Sequence, residues 1–136
     1  MLIYYISGST IPSRTANSIH VTSICDEIVK SNINLRLFAI KNKFYFNNFL
    51  DFINKYYNVN LKKESIFIPF YPFRRLIELY ITIYSLFFFL KDFILNEKPD
   101  LIISRNLFAV YFYSFFFKKI IYETHIPEKG IRKLIQ

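Results

Sequence analysis

The sequence predicts an α/β protein, an open, mostly parallel Rossmann-like sheet with helices on both faces. Three observations carry that expectation. Short β-rich runs alternate with helix-length segments along all 136 residues, the order that right-handed crossovers wind into a parallel sheet. Several of the runs are apolar without a break, as strands buried on both faces are. Polar clusters follow the first, fourth and fifth runs, where a sheet of this kind binds its ligands. The length, with 53% hydrophobic residues, fits one domain spanning residues 1–136.

The elements follow in order. "LIYYIS" (residues 2–7) reads as the first strand, and "SGSTIPSRTANSIH" (7–20) then interrupts an otherwise greasy chain. A loop leaving a buried strand must hydrogen-bond its own backbone, and Ser9, Thr10, Ser13 and Thr15 can do so while lining a cleft, with Gly8 relaxing the turn. A helix is expected over 17–30, where Val21, Ile24, Cys25 and Ile28 recur on one face and Asn17 caps the first turn. Further strands are expected at 35–40, 65–70, 101–104 and 120–124, and further helices over 47–57, 73–96 and 106–117. Pro99 and Asp100 stop the third helix. "PEKGIRKLIQ" at the end opens a further one.

One segment invites a membrane reading. "LYITIYSLFFFL" (79–90) is apolar for about a dozen residues, short of the roughly 20 that cross a bilayer. Glu78, Thr82, Ser85 and Asp92 share one narrow helical stripe, so the expectation is a helix buried over the rest of its surface. No basic region and apolar core of a signal peptide open the chain. The lone Cys25 falls on the apolar seam of the first helix, which suits a reducing cytoplasm.

Tyr (11) and Phe (17) are abundant and Trp is absent, a usage that matches an AT-rich genome. The net charge of +8 and a pI near 9.6 favour an anionic partner. The basic pairs Lys41/Lys43, Lys62/Lys63, Arg74/Arg75, Lys118/Lys119 and Arg132/Lys133 are spread along the chain without a nucleic-acid motif, so no nucleic-acid partner is expected.

Neither GxGxxG nor GxxxxGK[ST] is present, which removes a dinucleotide fingerprint and a P-loop. Two His and one Cys lack ligand spacing, so no metal and no cofactor is expected. No GxSxG elbow supports a hydrolase. Arg14 can meet a phosphate or carboxylate at the start of the first helix. His20 lies in that helix's first turn. His125 follows the fifth strand and precedes Pro127, and its imidazole can offer one donor and one acceptor to a sugar hydroxyl or a leaving group. Glu123 points to the same side if the strand continues.

Three stretches, "ISGSTIPSRTANSIHV" (6–21), "KPDLIISRNL" (98–107) and "IIYETHIPEKG" (120–130), together resemble the N-terminal half of GT-B glycosyltransferases of family 4, the group 1 glycosyltransferases. The first resembles a "P-S-[KR]-T-A-N-S-I-H-V" loop found in a subset of them. The resemblance implies an acceptor-side Rossmann-like domain that faces a second domain holding a nucleotide-diphosphate sugar, with retaining, metal-free transfer. It implies catalytic roles for His125 and Glu123, and substrate binding by Ser13, Arg14, Asn17, His20, Arg105 and Asn106; Ser9 joins them as a cleft-lining residue. The sequence stops at Gln136, before any counterpart of the donor domain. The expectation is therefore a truncated or split first half, inactive alone and using a nucleotide sugar only if a donor domain is supplied. Its acceptor would be a glycan or lipid-linked glycan in surface polysaccharide synthesis, at the cytoplasmic face of an anionic membrane. The alternative is a noncatalytic module that pairs with a separately encoded donor domain.

Overall fold

The computed structural model describes residues 1–41, 48–71 and 74–124. They form a five-stranded, all-parallel sheet of order β3-β2-β1-β4-β5, flanked by four helices. The strands are β1 (Leu2–Ile11), β2 (Asn34–Lys41), β3 (Ile66–Phe67), β4 (Leu101–Ser104) and β5 (Ile120–Tyr122). The helices are α1 (Ala16–Lys30), α2 (Phe49–Tyr57), α3 (Ile77–Ile94) and α4 (Leu107–Ser114). This is the predicted Rossmann-like open α/β fold.

Alternation along β1 divides the core in two, because successive side chains point to opposite faces. Ile3 and Tyr5 pack with Val21, Cys25 and Val29 of α1 and Ile53 of α2. Tyr4 and Ile6 face the other way, onto Ile81 and Phe89 of α3 and Ala109 and Tyr113 of α4. The chain order reverses at β1, which has β2 on one side and β4 on the other. The crevice at the carboxyl ends of β1 and β4 is thus the topological switch point of the sheet.

Four expectations need correction. The polar run does not leave the sheet at Ser7. β1 continues to Ile11, and while it advances from Ile6 to Thr10, β2 advances only from Phe38 to Ile40. Ser7, Gly8 and Ser9 form the bulge, and side chains replace the missing ladder: Ser9 N donates to Ser7 Oγ at 3.2 Å and the two hydroxyls are 2.7 Å apart. Gly8 therefore sits in a strand, with a φ outside the left-handed range and room for a methyl at 3.5 Å from Glu78 Cγ.

Asn17 does not cap α1. Thr15 does, its Oγ1 accepting from Ser18 N at 3.3 Å, while Asn17 already lies within the helix. The third correction concerns α3, whose polar stripe faces the sheet: Thr82, Ser85 and Asp92 are buried, whereas Ile83, Phe87, Leu90 and Ile94 are exposed. The polar residues turn inward because each finds a fixed partner there. The short expected strand at 65–70 is also reduced to Ile66–Phe67, with Ser65 in a 3-10 turn and a single bridge from Lys41 to Phe70.

Candidate functional site

The first turn of the site is locked by its own hydroxyls. Ser18 Oγ donates to Thr10 O at 2.9 Å, and Asn17 Nδ2 donates to Ser9 Oγ at 2.5 Å. Tyr57, at the end of α2, holds Ser13 from both sides: its hydroxyl accepts from Ser13 N at 2.5 Å and donates to Ser13 O at 2.8 Å. Ser9 is thereby buried and engaged, Ser13 is half-buried, and Arg14 and Asn17 are exposed at the surface of the turn.

A second layer brings three strand ends together. Glu123 follows β5, where its N–H donates to Ser104 O at 2.9 Å. Its Oε1 lies 2.5 Å from His20 Nε2, and its Oε2 accepts from Tyr5 OH at 2.6 Å. A carboxylate only accepts, so the imidazole Nε2 carries the shared proton. Arg105 follows β4, its N–H donating to Ile6 O at 2.9 Å. Glu123 and Arg105 were legible in the sequence as polar residues at strand ends, and His20 as a residue of the first helical turn. Tyr5 was not, although a buried Tyr needs a partner for its hydroxyl.

Charges at this cluster are mutually adjusted. Burial works to raise the Glu123 carboxyl, but hydrogen bonds from Tyr5 and His20 and the charge of Arg105 outweigh it, and the net shift is downward. Burial, and then the Glu123 contact, push the Tyr5 phenol up, so it stays a donor. Burial likewise pushes the Cys25 thiol up, which makes it unreactive packing. Arg105 Nη1 is buried with no hydrogen-bond partner among the described residues. A guanidinium nitrogen in that position is a donor awaiting an oxygen.

Asn106 is different. It is fully buried, and its amide is occupied by α4 and α3, so it builds the crevice rather than facing a ligand. His125 lies outside the described residues. Among those residues, no group of three or more His, Cys, Asp or Glu is placed to hold a metal ion. An open depression of about 660 Å³ lies at the opposite, amino edge of the sheet, but its Arg36 is already paired with Asp92 and Glu97.

Because the Glu123 carboxyl is held below its ordinary 4.5, it contributes stability that is present above that value and lost as the pH falls through the native one. The difference in unfolding free energy between the wild type and Glu123→Gln should therefore be flat above pH 4.5 and shrink below it. Urea melts across that range would read it, and a difference that grows on acidification would contradict the assignment.

The fold and this cluster define an open, all-parallel α/β domain with a carboxylate, an imidazole, a phenol and a guanidinium at its carboxyl edge. Comparison with known proteins returns nothing further: no family model, no curated protein and no solved structure matches the chain.

Proposed function

We propose that the chain is the acceptor-side domain of a retaining glycosyltransferase, binding a glycan or a phosphate-bearing, lipid-linked sugar at the carboxyl edge of its sheet. The observation that carries this reading is the unsatisfied Arg105 Nη1 beside the His20–Glu123 pair at the switch point. A sugar phosphate offers an anionic oxygen to that guanidinium nitrogen, while its hydroxyls can share the hydrogen bonds that Glu123 and His20 already make. The stretches that resemble group 1 glycosyltransferases support it, since the residues they supply include Ser9, Asn17, His20, Arg105 and Glu123 of this edge.

The test is titration of the isotope-labelled chain with hexose 1-phosphate and with short oligosaccharides, followed by amide NMR. Saturable shifts centred on Asn17, His20, Arg105 and Glu123 are expected, and Arg105→Ala should weaken them. Shifts scattered over the surface, or none, would remove the reading. No turnover of nucleotide-diphosphate sugars by the chain alone is expected, because transfer requires electrostatic stabilisation of the leaving diphosphate, which the glycosyltransferase resemblance assigns to a second domain. Turnover would overturn that part.

A further inference from the structure

α3 buries Ile81 and Phe89 together with its polar stripe against the sheet, and its outer face is apolar as well. Ile83, Phe87, Leu90 and Ile94, spaced four, three and four, are 59%, 66%, 59% and 79% exposed. The helix cannot simply roll over to bury them. Asn106 Nδ2 donates to Thr82 Oγ1 at 3.1 Å, Tyr113 OH donates to Ser85 Oγ at 3.2 Å, and Asp92 accepts from Tyr4 and Arg36. α4 packs beside it, and Phe112 of that helix and Phe115 just after it are exposed too. Large apolar side chains exposed along one helix face in this way mark a contact surface.

We propose that the outer face of α3 and α4 docks on an anionic lipid membrane. Charge selects that occupant. α4 carries no charged residue, and the exposed Lys91 lies in the last turn of α3, with Lys98 four residues beyond that helix and Lys118 and Lys119 four and five residues beyond α4. Of the neighbouring acids, Asp92 is buried with Arg36 and Tyr4, whereas Glu97, 3.9 Å from Arg36, and Asp100, bound to Leu2 N at 2.7 Å, are exposed, so the four lysines exceed the exposed carboxylates there by two. An apolar plate with a lysine rim matches a bilayer interface, where acyl chains take the aromatics and headgroup phosphates take the snorkelling lysines. Association of two copies of a +8 chain would instead bring lysine rims into a contact type that is depleted of lysine. Among the described residues no helix is long and apolar enough to cross a membrane, so α3 lies along the interface. An anionic membrane also belongs to the glycosyltransferase expectation, but the docking face is argued from its own exposure and charge and is tested without any sugar.

The chain has no Trp, so Phe87→Trp supplies a single fluorophore on the face and Tyr56→Trp, on α2, a control on the other side of the sheet. The full chain is mixed with vesicles of phosphatidylcholine alone or with added phosphatidylglycerol, without any sugar present. The expected result is flotation with the anionic vesicles only, with Phe87→Trp emission blue-shifted and quenched by brominated lipid and Tyr56→Trp emission unchanged. Lys118→Glu with Lys119→Glu should weaken binding more than about tenfold at unchanged circular dichroism. Failure to float, equal flotation with neutral vesicles, or a blue shift that follows protein concentration without lipid would each overturn the proposal, the last in favour of a second copy.

Discussion

Replacing Asp92 by alanine is expected to remove about 3–5 kcal/mol of folding stability, measured as a lowered urea midpoint with an unchanged slope. Asp92 is 1% exposed and lies in the last turn of α3, where the helix dipole disfavours a carboxylate. Its presence there makes sense only through its partners. Tyr4 OH and Arg36 Nη1 both donate to Oδ2, and the Arg36 guanidinium lies 5.8 Å from the centre of the Tyr4 ring and 5.5 Å from that of Phe67. Removing the carboxylate strands a largely buried guanidinium among aromatic rings.

Glu97 cannot take over. It sits 3.9 Å from Arg36 Nη2, and its side chain is mostly exposed, so screening leaves it little hold. Burial, and then the bond to Asp92, also raise the Tyr4 phenol, so Tyr4 remains a neutral donor that would lose its acceptor. Arg36→Met combined with Asp92→Leu removes both charges together and should recover most of the loss. A loss below about 1 kcal/mol for Asp92→Ala would mean that the pair behaves as a solvent-screened one.

The same residues show what the sequence could and could not reveal. Unbroken apolar runs and helical periodicity were sufficient to place the five strands and four helices of the described residues, most clearly for β1 and β2, whose burial on both faces is a composition signal. The direction of α3 was not legible. Its four polar positions fell on one stripe, which by itself suits water as well as a hydrogen-bonded interior. Only the partners on β1, β2 and α4 decide, and those are contacts between residues far apart in the chain. The adjacent Tyr4 and Tyr5 of "LIYYIS" held a usable clue: strand alternation sends their hydroxyls to opposite faces, so each buried phenol required its own acceptor. These are Asp92 on one side and Glu123 on the other. The bulge at Ser7 to Ser9 was hidden for a different reason, since polar residues that replace a strand ladder look like a loop until the neighbouring strand is seen to continue.

Asn106→Ala is expected to cost about 2–3 kcal/mol, combining a lost helix cap with lost buried hydrogen bonds. Asn106 Oδ1 accepts from Phe108 N at 3.0 Å and Ala109 N at 3.3 Å, closing the start of α4. Its Nδ2 donates to Glu78 O at 2.6 Å and to Thr82 Oγ1 at 3.1 Å, tying that start to α3. Asn106→Asp separates the two functions. It keeps the capping acceptor but turns a donor into a second acceptor against the Glu78 carbonyl, so it too should destabilise, although a cap alone would tolerate it. Thermal and urea unfolding of both variants supply the stabilities, and sugar-phosphate titration supplies the binding. A residue that grips ligand would show nearly native stability and weakened binding in Asn106→Ala. A residue that builds the crevice would show the reverse order, with the stability loss first and binding affected only through the displaced Arg105 next to it. The four hydrogen bonds of a fully buried amide put Asn106 in the second group.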